Sequence, residues 1–446
     1  MECLRIIGSK RLHGSVRVSG SKNASLPILA ASILAESPVR LSEVPKLADV
    51  ATQLLVLAQL GVASTWLPNG DLLLETIDPT RSRADHRLVS RMRASFCVLG
   101  PLLARRGNAV VSLPGGCNIG VRPVELHLKA LEALGADLSI SHGYVIARAR
   151  RLRGAEVCMT GPHGPTVTGT ANVLCAAARA EGLTTIAGAA REPEIVDLGR
   201  FLSSLGADIE GLGSDTIVVR GQPGLGGASH RVIPDRIEGG TLLLAVAIAG
   251  GAARIEGLMS EHLSCVLTTL DGVGAILDVG HDFVSIVSVD RPRAADIAAL
   301  PYPGMPTDLQ AQWMTLLSLA TGTSTICDAV FPTRFMHAAE LNRLGARITL
   351  AGSTATVRGV RRLSGTLVAA TDLRAGAALV LGGLAAQGET IVSGLEHLDR
   401  GYVRLEDKLR QLGADVERLV VSSHAGSDDE FKPRDRAFGQ VRSSWS

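Results

Sequence analysis

Two hydrophobic patterns alternate along this chain. The first is an apolar run with almost no polar face, found at 24–34, 94–103, 170–180, 241–249, 308–320 and 373–386. A helix that is apolar all round has to be buried on every side. Each run closes at a glycine or a short turn, and a β-rich triplet follows: Val39-Arg40-Leu41, Ala109-Val110-Val111, Thr184-Thr185-Ile186, Ala253-Arg254-Ile255, Ser324-Thr325-Ile326 and Thr390-Ile391-Val392. The second pattern is a helix-like run, as at 128–134, 200–205, 338–344 and 405–412, that ends in a Leu/Val-Gly-Ala/Val tripeptide. Its glycines are Gly61, Gly135, Gly206, Gly274, Gly345 and Gly413, spaced 74, 71, 68, 71 and 68 residues apart. A glycine just past the last periodic residue is a helix C-terminal cap. The even spacing predicts six copies of a β-α-β-α-β unit, with helices inside and sheets outside.

The chain of 446 residues is longer than one hydrophobic core usually supports, so the six units are expected to divide as three in each of two domains. Hydrophobic residues are 46% of the chain and aromatic ones 3%, so both cores must be built from Leu, Val, Ile and Ala. The net charge is +2 and no Lys/Arg run stands out, which gives a nucleic-acid or membrane-surface partner no support. Seven scattered cysteines, Cys3, Cys97, Cys117, Cys158, Cys175, Cys265 and Cys327, form no C-x-x-C pair and read as cytosolic thiols rather than disulfides or a zinc site. The start of the chain lacks a signal-peptide core and the apolar runs are too short to span a membrane, so a soluble cytoplasmic protein is expected. The segment 421–446 is rich in Ser, Asp and Arg without periodicity, and is expected to be a disordered tail.

Charged residues stand at or just before the N-termini of the buried helices: Lys22, Arg93, Arg236, Asp308 and Arg374. Free N–H groups and the positive dipole end already favour an anion there, and cations add to it. Any one of them alone fits a surface charge; the recurrence favours a site for a phosphorylated, carboxylated ligand. Between a strand and a helix lies Pro114-Gly115-Gly116-Cys117-Asn118-Ile119-Gly120-Val121-Arg122-Pro123, a loop in which a thiol near Arg122 could serve as acid or nucleophile. Cys97 and Cys175 fall in apolar helices and read as small core residues. Asp308 is either a helix cap contributing about 0.5–2 kcal/mol or a general base. His127 and His337 are equally open, with a hydrogen-bonded structural histidine the more usual outcome.

Nine segments in order carry a resemblance: Gly20-Ser21-Lys22-Asn23-Ala24, Met92-Arg93-Ala94-Ser95, the Cys117 loop, Arg191-Glu192-Pro193-Glu194-Ile195-Val196-Asp197, Pro234-Asp235-Arg236-Ile237-Glu238, Pro306-Thr307-Asp308-Leu309-Gln310, Arg334-Phe335-Met336-His337, Thr371-Asp372-Leu373-Arg374-Ala375 and Asp399-Arg400-Gly401-Tyr402. Over about residues 1–420 the chain resembles the enolpyruvyl transferase superfamily, and within it the enzymes that act on UDP-N-acetylglucosamine in peptidoglycan synthesis. The resemblance implies an α/β fold of two inside-out α/β barrel domains, built from six βαβαββ-type units, three per domain. Domain one would be 22–232, and domain two 1–21 with 233–420. The active site would lie between them, with the Cys117 loop as a lid.

Residue by residue, the resemblance makes Lys22, Arg122 and Arg400 ligands of phosphoenolpyruvate, with Arg334 and Arg374 nearby. Asn23, Arg93, Arg122, Pro123, Val124, Glu125, Leu126, Pro165, Thr166, Val167, Thr168, Asp308 and Val330 would contact the uridine nucleotide. Cys117 would protonate the methylene carbon and be alkylated by fosfomycin, Asp308 would assist deprotonation of the acceptor hydroxyl, and Lys22 completes the catalytic set. No metal or organic cofactor is implied, the partners are the two small-molecule substrates, and the oligomeric state is left open. The chain departs from the family pattern on the acceptor side, at Glu125, Pro165 and Tyr302. Three readings stand: transfer to the 3′-hydroxyl of UDP-N-acetylglucosamine, transfer to another uridine nucleotide such as UMP for a nucleoside natural product, or a non-catalytic ligand sensor.

Overall fold

The computed structural model describes residues 2–115 and 124–420. Six inner helices occupy the apolar runs: α1 (Lys22–Ala31), α2 (Leu99–Arg106), α3 (Val167–Ala177), α4 (Arg236–Ala249), α5 (Gln310–Leu317) and α6 (Leu373–Ala385). Nearly every residue of α1 and α4 is buried, and all eight residues of α5 are. The runs at 94–103 and 308–320 are not uniform helices. They open with 3-10 turns, Arg93–Val98 and Thr307–Leu309, before the α-helix begins.

Six four-stranded sheets surround these helices. All six are built alike. The strand after an inner helix pairs in parallel with an edge strand and antiparallel with a two-stranded antiparallel pair, which is a hairpin in five sheets and Glu2–Ile7 with Asp415–Val420 in the sixth. After α3, Leu183–Ala187 lies between Glu156–Cys158 and Thr216–Arg220, and Asp208–Glu210 completes the order. Burial along Leu183–Ala187 alternates, so one face of the sheet packs inward and the other meets solvent. Parallel pairing requires a crossover, and in four of the six sheets the inner helix supplies it, whereas Val39–Ser42 with Ala228–Arg231 and Leu12–Arg17 with Gly251–Glu256 are joined through long stretches of the chain. The outer helices end where the repeated glycines stand, and all six glycines have φ between 73° and 110°. That left-handed conformation is cheap only without a Cβ.

The hydrophobic residues gather into two cores, one drawn from 24–233 and the other from 4–18 together with 237–416. The N-terminus enters the second core through pairing: Glu2–Ile7 lies between Glu389–Ser393 and Asp415–Val420, and Leu12–Arg17 pairs with Gly251–Glu256. Cys97 and Cys175 are buried core residues, and burial pushes the Cys97 thiol up to about 12. Among the described residues no helix is long and apolar enough to cross a membrane. The expected tail at 421–446 lies outside the described residues.

Close packing of α2 on α3 depends on Gly100 and Asn172. A Cβ on Gly100 would stand 2.1 Å from the carbonyl oxygen of Asn172. The Asn172 side chain accepts from the Gly100 N–H at 2.8 Å, and its amide donates to the Phe96 carbonyl at 3.1 Å and to Nδ1 of His127 at 2.9 Å. His127 is therefore the structural histidine of the two possibilities. Its burial, with the charge of Arg93 nearby, holds its pKa at about 3. His337 is also fully buried and sits at about 4, chiefly through desolvation.

Two predictions follow from this packing. Gly100→Ala should destabilise by at least about 1–3 kcal/mol, read as a lowered urea midpoint, because the contact is with backbone and cannot swing aside. His127 is neutral in both states above pH 6.5, whereas below it the unfolded chain takes up a proton that the folded chain refuses. Stability should thus fall as pH drops from 6.5 towards about 3, by roughly 1.4 kcal/mol per pH unit from this group. Urea titrations at pH 4.5 and 7.5 should show a smaller loss in His127→Gln than in wild type; equal losses would refute the assignment.

Candidate active site between the two cores

The inner helices converge on one cleft: the first residues of α1, α3, α4 and α6, and the 3-10 turns that lead into α2 and α5, line two adjoining cavities there. Local caps set these ends. Ser21 accepts from the Ala24 N–H, Thr166 from Gly169, Asp372 from Arg374 and Ala375, and Asp235 from Ile237 and Glu238. Asp235 does more than cap α4, for its second oxygen accepts the Lys22 N–H at 3.1 Å and ties the start of α1 to the start of α4. Asp308 caps nothing. The turn at Thr307–Leu309 has no side-chain cap bond, and the carboxylate points into the cleft instead.

The first cavity, of about 230 Å³, is lined by five cations, Lys22, Arg93, Arg334, Arg374 and Arg400, against three carboxylates, Asp49, Asp308 and Asp372. Asp49 bridges Lys22 Nζ at 2.7 Å and Arg400 Nε at 2.9 Å. Asp308 bridges Arg334 and Arg374, each at 2.9 Å, and accepts from the Asn23 amide at 3.3 Å. Burial alone would raise the Asp308 carboxyl, but Arg374 and Arg334 overcome it and hold the group well below the usual carboxylate range. So held, Asp308 is a weak base. An anion that drew the two arginines to itself would restore its basicity.

The second cavity, of about 260 Å³, has a more apolar wall that includes Pro165, Val167, Val330 and Tyr302. Its one lining cation among the described residues, Arg236, is held in a fork by Glu194 at 2.9 and 3.2 Å and lies 5.6 Å from the Tyr302 ring. Glu192 also lines it; burial, with the neighbouring Glu194, raises its carboxyl pKa. Asn23, Leu26, Ala94, Thr168 and Asp308 line both cavities. Two ligands bound side by side would therefore meet at Asp308 and Asn23.

Of the residues singled out in the sequence, the structure brings Lys22, Asn23, Arg93, Thr168, Asp308, Arg334, Arg374 and Arg400 to the first cavity. Pro165, Val167 and Val330 reach the second, with Asn23, Thr168 and Asp308 shared. Thr166 spends its hydroxyl on the α3 cap, Val124 and Leu126 pack part-buried against the first core, and Glu125 is exposed in the first turn of the outer helix Glu125–Ala133; none of the four lines either cavity. Cys117, Arg122 and Pro123 lie outside the described residues. Sequence reasoning missed Asp49. Its signal was an acidic residue on the buried face of the helix Ala48–Gln59, beside Val50, Gln53, Val56 and Leu57.

The family model of EPSP synthase (3-phosphoshikimate 1-carboxyvinyltransferase) matches residues 6–409. The crystal structure of the enolpyruvyl transferase NikO from Streptomyces tendae aligns with a TM-score of 0.85 and 29% identity, over 94% of this chain and 99% of that one. Two structures of EPSP synthase from Acinetobacter baumannii align with TM-scores of 0.71 at 16% and 18% identity, over 94% of this chain and 100% and 99% of theirs; these show the likeness of fold.

Because Asp308 competes with any bound anion for Arg334 and Arg374, Asp308→Asn should bind inorganic phosphate about tenfold more tightly, a gain of about 1.4 kcal/mol. Calorimetric titration of both proteins measures this directly. Weaker phosphate binding by the variant would mean that the carboxylate organises the arginines rather than occupying them.

Proposed function

The chain belongs to the EPSP synthase family and is an enolpyruvyl transferase, and from that premise we propose that it moves the enolpyruvyl group of phosphoenolpyruvate onto a hydroxyl of a uridine nucleotide. The observation that carries this reading is the pair of cavities, one cationic and one largely apolar, joined at Asp308 and Asn23. Group transfer between two substrates needs such a shared wall, since the reacting atoms must come within about 3–3.5 Å of each other.

Phosphoenolpyruvate, with its phosphate and carboxylate, suits the cluster of Lys22, Arg334, Arg374 and Arg400, with Arg122 added from the motif. Its binding would take Arg334 and Arg374 from Asp308 and leave that carboxylate free to accept the proton of the acceptor hydroxyl. The acceptor oxygen adds to C2 of phosphoenolpyruvate while Cys117 delivers a proton to the C3 methylene, giving a tetrahedral phospho-ketal. Loss of a proton from the new methyl group and departure of phosphate then restore the double bond as an enol ether. Cations around the leaving phosphate stabilise its charge in that step. The role of Cys117 comes from the motif alone. The two cores favour domains at 22–232 and at 1–21 with 233–420.

For the acceptor we favour a compact nucleotide such as UMP over UDP-N-acetylglucosamine, although the nine motifs by themselves imply the latter. A sugar nucleotide brings a second phosphate and a pyranose ring. The acceptor cavity is small, is walled by Pro165 and Tyr302, and has as its one described cation an arginine already neutralised by Glu194. Phosphate release from phosphoenolpyruvate, measured in parallel with UMP and with UDP-N-acetylglucosamine, tests the choice. Turnover with UMP is expected; turnover with the sugar nucleotide alone would reject the compact acceptor, and none with either would reject a uridine acceptor. Cys117→Ala and Asp308→Ala should each lower kcat by about 10²–10⁴-fold, as removal of a general acid or base does. Wild-type kinetics in either variant would show that its role has been misassigned.

A further inference from the structure

Glu192 stands apart from the other charged residues of the cleft. Lys22, Asp49, Asp308, Arg334 and Arg374 are paired with one another, and Arg236 is paired with Glu194. The Glu192 carboxyl has a weak link: its Oε1 accepts the Tyr302 N–H at 3.4 Å, while Oε2, shielded from solvent, has no hydrogen-bond partner among the described residues. Glu192 belongs to the wall of the acceptor cavity, which Asp308 also lines. A buried carboxyl oxygen without a partner is costly, and such groups are normally satisfied by something the folded chain is built to meet.

We propose that Glu192 is an acceptor-specificity residue, its carboxyl turning to donate a hydrogen bond to an uncharged or phosphate oxygen of the nucleotide. The inference rests on the uridine-nucleotide reading and adds the group that reads the acceptor. The neutral acid is the form that the surroundings favour. From the helix Pro193–Ser204 it faces the carboxylate of Glu194, and from α4 it faces Arg236, whose charge Glu194 already balances. Asp308 lines the same cavity, itself matched by Arg334 and Arg374, and Tyr302 offers a backbone N–H. No cation is left over in this wall to support a second negative charge, and burial raises the Glu192 pKa accordingly. A neutral carboxyl keeps one O–H to give, so the ligand group it meets must be an acceptor.

Steady-state kinetics of the full chain test this, with phosphoenolpyruvate and the nucleotide varied separately and pH stepped from 5 to 9. In Glu192→Ala the KM for the nucleotide should rise at least tenfold while the KM for phosphoenolpyruvate stays within twofold, which also shows that the variant is folded. In wild type the nucleotide KM should increase as pH rises and the acid loses its proton. Glu192→Gln, which keeps an N–H donor in the same place, should hold the nucleotide KM within threefold and flatten its dependence on pH. An unchanged nucleotide KM in Glu192→Ala, or a pH dependence that survives in Glu192→Gln, would overturn the inference while leaving the uridine reading intact. Absence of turnover by the wild type with any uridine nucleotide would overturn both.

Discussion

Enclosing a helix that is apolar on every side leaves it two polar features, the free N–H groups at one end and the free carbonyls at the other. Six such helices are enclosed in this protein, and four of them by their first residues, the other two by the 3-10 turns that lead into them, line one cleft. The arrangement makes the cleft electropositive before any side chain is counted. Lys22, Arg93, Arg236 and Arg374 then add full charges at the ends of helices whose direction is already set. The outer sheets, the glycine-capped helices and the parallel crossovers all serve that enclosure.

So much positive charge in a partly buried place requires counterions, and the chain supplies its own. Asp49 and Asp308 each sit between two cations, and Glu194 holds Arg236. A buried charge left unpaired would cost several kcal/mol, so these carboxylates keep the unliganded cleft stable. They also make it exchangeable. In the proposed chemistry an incoming phosphate or carboxylate would replace an internal carboxylate, leaving no arginine stranded and releasing a base beside the second cavity. In this way the ground-state ion pairs and the proposed chemistry are two states of the same charges.

The second cavity follows a different logic. Its wall is mostly apolar and its charges cancel locally, through Glu194 and Arg236, with the Tyr302 ring close to the guanidinium. A ligand there is selected by shape and by a few hydrogen-bonding groups rather than by net charge, the usual character of small-molecule pockets. Pro165 and Tyr302, two of the positions at which the sequence resemblance implies a departure from the family pattern, both lie in this wall. The first cavity gathers Lys22, Arg93, Arg334, Arg374 and Arg400.

Much of the fold was legible from local sequence. The period of apolar residues marks the six inner helices, the capping glycines mark the ends of six outer ones, and the cations at helix starts mark the cleft, because helix period and cap chemistry act over a few residues. The 3-10 starts at Arg93–Val98 and Thr307–Leu309 were not legible, nor was the insertion of Glu2–Ile7 between two strands from the far end of the chain. The site divides the same way. Asp308 and Lys22 could be picked out from motif and position, but whether Asp308 caps a helix or faces two arginines depends on Arg334 and Arg374, which arrive from other units. Asp49 carried no mark beyond being acidic on a buried face; its meaning comes from Arg400, 351 residues away. Local pattern decides which elements form and how they end. Which charges meet is decided only when six units close around one cleft, because an ion pair depends on distance in space and the sequence records only distance along the chain.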